Sequence, residues 1–258
     1  MPQLVAGCAE AGVPAVGLWR GPVRAYGAEA TARLVRSAGL AVSSLCRGGF
    51  FTAADPAGRA AALADNRAAI EEAATLGTGV LVLVSGGLPA GDRDLAGARE
   101  RVADALAELT PYAAAHGVRL ALEPLHPMYA ADRCVVSTLA QALDLAERFP
   151  AERVGVVVDT YHLWWDDTVA GQLARAGATG RIAAFQLADW VTPLPEGVLL
   201  GRGPLGAGCV DLRWFRERVE AAGYRGPAEV EILNSGQWAR DGAEVLAEAI
   251  GGYRRHVL

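Results

Sequence analysis

A chain of 258 residues, 52% of them apolar and 21% charged, carries enough hydrophobic surface for one barrel-sized domain and too much for a disordered or fibrous protein. All 24 basic residues are arginine, which excludes a lysine Schiff base, pyridoxal phosphate chemistry and a Walker phosphate loop; the net charge of −5 gives no broad footprint for nucleic acid. No apolar run reaches the roughly 18 residues of a membrane span, and the chain does not open on a basic, apolar leader, so the expectation is a soluble cytoplasmic protein with no membrane partner.

The chain opens on a helical pattern, Leu4 to Ala11, that leads into a short apolar run over 15–18. From there short apolar runs alternate with longer Ala-rich amphipathic segments, the pattern of parallel strands joined by crossover helices. The spacing predicts helices over 28–38, 57–76, 94–116, 138–148 and 211–222. Between them it predicts strands over 41–46, 80–84, 118–122, 154–158, 182–187 and 228–232. Each strand reads as buried on both faces, as the content of Val80 to Val84 and Val154 to Val158 suggests. Gly39, Gly77, Gly117 and Gly223 fall where a helix would give way to the next strand. No linker, charge run or low-complexity tract divides these units, so residues 1–258 read as a single α/β domain, a (β/α)8 TIM barrel. Seven strands are counted where a closed barrel has eight. Either the sequence begins downstream of a first strand or the barrel is open at that edge, which a loop or a second copy of the chain would then cover.

In such barrels the active site is built at the C-terminal ends of the strands, so polar residues that end apolar runs carry the information. Leu120-Ala121-Leu122 ends in Glu123; Val156-Val157-Val158 ends in Asp159; Ala183-Ala184-Phe185 leads to Gln186; Ala228-Glu229-Val230 leads to Glu231. Three carboxylates gathered in one low-dielectric mouth repel one another unless a cation neutralises them, which points to a metal. The oxygen-rich set Glu123, Asp159, Gln186 and Glu231 suits a hard or borderline divalent ion, Mn²⁺ or Mg²⁺ ahead of Zn²⁺, with Co²⁺ also compatible. The alternative reading is that each residue caps a helix or ties down a loop.

The run Leu120 to Pro127, Val158-Asp159-Thr160-Tyr161-His162-Leu163-Trp164-Trp165, Phe185-Gln186-Leu187-Ala188-Asp189-Trp190 and Glu229-Val230-Glu231-Ile232 resemble the sugar phosphate isomerase/epimerase family. This is the xylose-isomerase-like barrel superfamily of ketose 3-epimerases, inosose isomerases and dehydratases, hydroxypyruvate isomerase and endonuclease IV. The resemblance covers nearly the whole chain from Leu4 onward. It implies Glu123, Asp159, Gln186 and Glu231 as metal ligands, Glu123 and Glu231 doubling as the catalytic pair, and His162 and Arg202 as substrate-binding residues. Three departures stand out: Gln186 where many relatives have His, Ala207 between Gly206 and Gly208 where an acidic residue is common, and the missing first strand.

The remaining positions carry two readings each. His126, flanked by prolines, suits substrate contact or loop packing; His116 before Gly117 suits a helix cap. Four histidines are too few for the multi-zinc site of the endonuclease branch. Arg202 suits substrate binding through its planar fork or a surface salt bridge, and the GxGxxG spelling of Gly201 to Gly206 lacks the strand and helix of a dinucleotide site. Gly48-Gly49 and Gly86-Gly87 suit close approach to a ligand or simple turns. Trp19, Trp164, Trp165, Trp190 and Trp238 suit the walls of the mouth, where Trp19 is a substrate contact, or a homo-oligomer interface. Cys8, Cys46, Cys134 and Cys209 read as buried free thiols.

The expectation is a metal-dependent isomerase or epimerase of a small polyhydroxylated carbonyl compound, working through an enediolate with a two-glutamate acid/base pair. A dehydratase or lyase on a keto-inositol or 3-keto-glycoside, and a non-catalytic sugar-binding subunit, are the alternatives.

Overall fold

Apolar strands too short to close their own backbone hydrogen bonds must pair with neighbours, and helical crossovers between them make that pairing parallel. The computed structural model describes every residue except Glu196, with Val198 described by its backbone alone. It begins with α1 (Pro2–Glu10), β1 (Ala15–Trp19), α2 (Arg20–Tyr26), α3 (Ala28–Ser37), β2 (Ala41–Gly49), α4 (Pro56–Leu76), β3 (Val80–Val84) and α5 (Leu95–Ala115). It continues with β4 (Arg119–Glu123), α6 (Leu139–Ala146), β5 (Val154–Asp159), α7 (Thr160–Leu163), α8 (Val169–Ala178) and β6 (Ile182–Leu187). A two-stranded hairpin of β7 (Asp189–Trp190) and β8 (Arg202–Gly203) precedes α9 (Leu212–Ala221), β9 (Ala228–Val230), α10 (Ser235–Trp238) and α11 (Gly242–His256).

Seven strands, in the order β1-β2-β3-β4-β5-β6-β9, pair in parallel into a nearly closed barrel ringed by helices. Period-two alternation splits their side chains between two cores. Val154, Val156 and Val158 of β5 face the helices with most of the buried apolar residues, whereas Val157 joins Cys46, Val82, Ala121 and Ala184 in the lumen. Asp159, two residues past Val157, therefore belongs to the lumen at the mouth.

Two expectations need correction. β1 and β9 are not buried on both faces: β1 alternates buried and exposed, and Val230 of β9 is 37% exposed, because these two are the edges of the sheet. They still approach across the lumen, where a Cβ on Gly17 would lie 3.3 Å from the Glu229 carboxylate. The segments α2, α8 and α11 and the β7–β8 hairpin went unread. Glycines 171 and 177 interrupt the apolar spacing of α8, only Gly252 of α11 is buried, and two-residue strands have no periodicity to detect.

The turn after β2 is fixed from beneath. Asn66, a buried residue of α4, accepts the Gly49 N–H at 2.6 Å and donates to the Gly49 and Ala62 carbonyls at 2.8 Å. A Cβ on Gly49, at φ +110°, would fall onto the Val84 carbonyl, so Gly48-Gly49 is a packing requirement of this turn. Asn66→Ala leaves the buried Gly49 N–H without its acceptor and is expected to cost about 2–3 kcal/mol, a fall in Tm of roughly 5–10 °C by thermal denaturation.

Candidate active site

The strand ends deliver the expected side chains to one place. Glu123 ends β4 and Asp159 ends β5, both buried; Gln186 lies beside Asp159 in the sheet register, and Glu229 lies beside Gln186. The Glu231 N–H donates to the Leu187 carbonyl at 3.0 Å, which extends the ladder past β9 and sets Glu231 one inward step above Glu229. Glu229 lies deeper, where Ser43 Oγ at 2.5 Å, Ser44 Oγ at 2.7 Å and Gln186 Nε2 at 3.1 Å donate to it. Gln186 Oε1 is buried and has no hydrogen-bond partner among the described residues.

Arg202 enters this cluster from β8. It is buried, not the surface ion pair that was one reading of it: Nη1 donates to Asp159 Oδ2 at 2.9 Å and to Glu231 Oε2 at 3.0 Å. Its guanidinium carbon sits 4.9 Å from the Tyr161 ring centroid, and Nη2 lies 3.0 Å from His162 Nε2. The loop behind it is anchored by Asp189, whose carboxylate accepts the N–H groups of Gly206, Gly208 and Val210, each at 3.0 Å, and of Trp190 at 2.8 Å. These bonds use backbone donors only, so Ala207 does not disturb the loop. The GxGxxG spelling spans β8 and the start of this anchored loop, and opens no dinucleotide turn.

Charge does not balance within the lumen. Four carboxylates, Glu123, Asp159, Glu229 and Glu231, gather at the strand ends, and among the described residues Arg202 is the one arginine ion-paired with any of them. Burial, reinforced by Glu231 and Asp159, pushes Glu123 well above the usual carboxylate range, and Glu123 hydrogen-bonds to Asp159. Burial also raises Asp159 against the opposing pull of Arg202 and the Tyr161 N–H. Glu231 is pushed up to about 7 by burial, against the Arg202 charge. Burial and then Arg202 drive His162 well below the ordinary imidazole range, so its ring is neutral. A neutral ring has one lone pair, and two donors compete for it: the His126 N–H at 3.1 Å from Nδ1 and Arg202 Nη2 at Nε2.

Donor atoms of Glu123, Asp159 and His162 lie within 4.8 Å of one another and could hold a metal ion. Around them the structure brings together Gln186, Glu231 and Arg202. His126 is set back at the rim, its ring 4.8 Å from Trp190 and 5.4 Å from Trp165, and its Nδ1 accepts the Met128 N–H. Its backbone, not its ring, touches His162. Trp19 ends β1 on a separate side of the mouth, in the wall of a cavity of about 420 Å³ shared with Arg20, Cys46, Arg47 and Phe50. Trp238 is 59% exposed and apart from the cluster, and Cys209, expected to be buried, is exposed.

Glu229, Arg47 and Asp189's anchoring role were missed. Glu229 had a usable signal, since it stands two residues before Glu231 on a strand of period two and so shares its face. Arg47 had none, because nothing in its sequence neighbourhood tells a surface arginine from one at the mouth.

The family model for xylose isomerase-like TIM barrels matches residues 5–249. The chain belongs to that family. A solved structure, that of protein SMc04130 from Sinorhizobium meliloti 1021, is 47% identical with a TM-score of 0.95, over 99% of this chain and 92% of its own. The 3-dehydroshikimate dehydratase of Pseudomonas aeruginosa is 35% identical over 180 residues, 67% of this chain and 26% of the dehydratase. The inosose isomerase of Halalkalibacterium halodurans is 26% identical over 147 residues, 56% of this chain and 50% of the isomerase. The chain thus aligns with about a quarter and about half the length of these two enzymes.

Proposed function

We propose that this xylose isomerase-like protein is a divalent-metal-dependent isomerase or epimerase of a small polyhydroxylated carbonyl compound, such as a ketose, an inosose or a keto-sugar. The supporting observation is the charge imbalance at the strand ends, where the carboxylates outnumber Arg202 and the buried Gln186 oxygen lacks a partner. Both features fit a dication held by Glu123, Asp159, Gln186 and Glu231, and the oxygen-rich donor set favours Mn²⁺. Such an ion, when bound, polarises a substrate carbonyl as a Lewis acid.

The chain's own residues supply the proton chemistry. Glu231 takes the proton from the carbon beside the carbonyl. Glu123, the other member of the pair, returns a proton to the opposite face or to the neighbouring carbon. The first outcome is epimerisation and the second is isomerisation. His162, neutral and fixed by the His126 N–H, meets a substrate hydroxyl, and Arg202 keeps Asp159 and Glu231 in place while its fork faces the substrate. The rims at Trp19 and His126 line the approach.

A screen of ketoses and inososes for exchange of a carbon-bound proton with deuterated solvent tests this reading. Exchange that requires Mn²⁺ or another dication, with about one ion retained per chain by metal analysis, is the expected result. Failure to bind any dication after reloading overturns it. Similarity to a dehydratase supports a second reading, in which the same acid expels a β-hydroxyl. Mass spectrometry separates the two, because only dehydration lowers the product mass.

A further inference from the structure

Arg47 is the second charged group at the mouth, and the proton chemistry above does not use it. It follows Cys46 of the lumen layer at the end of β2 and interacts electrostatically with Glu123. Its guanidinium stacks on the Phe50 ring, 4.1 Å from the centroid, in the wall of the cavity of about 420 Å³. Among the described residues it makes no ion pair and donates no side-chain hydrogen bond. Nearby arginines are committed: Arg20 to Asp65 and Glu72, Arg101 to Asp92, Arg202 to Asp159 and Glu231.

A half-buried guanidinium costs desolvation that solvent alone does not offset. Burial lowers the Arg47 pKa, and the nearby positive charge of Arg133, from the loop after β4, lowers it further. The cavity is lined by Arg47 and by the Arg20–Asp65 ion pair, so Arg47 is the charge there that no carboxylate of the described residues pairs with. The turn that carries Arg47 is fixed by Asn66 and by glycines with no room for a side chain, so the fork is positioned before any ligand arrives.

We propose that Arg47 binds an anionic substituent of the substrate, a carboxylate or a phosphate, so that the enzyme acts on an acidic polyhydroxylated carbonyl compound and not a neutral sugar. This inference rests on the proposed function only in placing the reaction at Glu123 and Glu231. A planar guanidinium fork matches either anion bidentately, and the cavity is sized for one small ring.

Calorimetric titration of D-fructose, D-fructose 6-phosphate and quinate into the wild type and into Arg47→Gln tests it. The wild type is expected to bind at least one anionic probe roughly 10- to 100-fold more tightly than fructose. The tighter of the two anions identifies the group. Arg47→Gln brings that probe down to the fructose level, and Arg47→Lys, which keeps charge without the fork, falls between. Equal affinity for fructose and both anions, no detectable binding of either anion, or a preference retained in Arg47→Gln overturns the proposal. Thermal denaturation of the variants checks folding and reads the cost of losing the Phe50 stack. Binding is read without turnover, so absence of proton exchange would remove the catalytic reading while leaving this one standing.

Discussion

Glu231→Gln is expected to abolish exchange of the substrate's carbon-bound proton with deuterated solvent, a loss of about 10³-fold or more, because glutamine keeps the shape but cannot accept the proton. With the dication bound, the wild type should lose rate once the pH is low enough to protonate Glu231, and this acid limb should lie below the value of about 7 that the metal-free site sets. The stability consequence has the opposite direction. Glu231 rises from 4.5 to about 7 on folding, so its contribution is fully present below pH 4.5 and is lost as the pH rises through 7. In the presence of a chelator the variant should therefore gain on the wild type between pH 4.5 and 8, by up to about 3 kcal/mol. Urea titrations at several pH values measure that difference; a constant difference would remove Glu231 from the strained carboxylate cluster.

Arg202→Met is expected to cost about 3–5 kcal/mol in chelator, since it strips the buried counter-charge from Asp159 and Glu231 and leaves their carboxylates facing each other. Adding Mn²⁺ should return much of that loss, because a dication replaces the missing positive charge at the same oxygens. Thermal denaturation with chelator and with excess Mn²⁺ distinguishes the two states. A variant as stable as the wild type in chelator would show that Arg202 is not the internal counterion. A variant destabilised but indifferent to Mn²⁺ would argue that the carboxylates do not form a cation site. Sequence reasoning assigned all the neutralising charge to a metal; the fold supplies part of it through an arginine 43 residues beyond Asp159.

Gln186 shows how a residue's type and its partners carry different information. Its position at a strand end was readable, because the apolar run before it ends there and the strand's alternation points it inward. Its division of labour was not. The amide nitrogen is spent on Glu229 while the oxygen is left without a partner, a division fixed by a strand that arrives more than forty residues later. His126 and His162 diverge for the same reason. Each stands three residues past a strand-end carboxylate, yet only the His162 ring reaches the cluster, while the His126 ring packs between Trp165 and Trp190.

The amino-acid sequence by itself determined the parallel strands, the crossover helices and the four oxygen-bearing side chains at the strand ends, because apolar runs, helical spacing and terminal glycines act over a few neighbouring residues. Only the tertiary structure decided which charges meet. Arg202 among the carboxylates, Glu229 beneath them and Arg47 stacked on Phe50 beside them are set by how the barrel wraps around its lumen. Wrapping brings together groups far apart in the chain, and their electrostatic energy depends on that distance in space, of which a local pattern carries no trace.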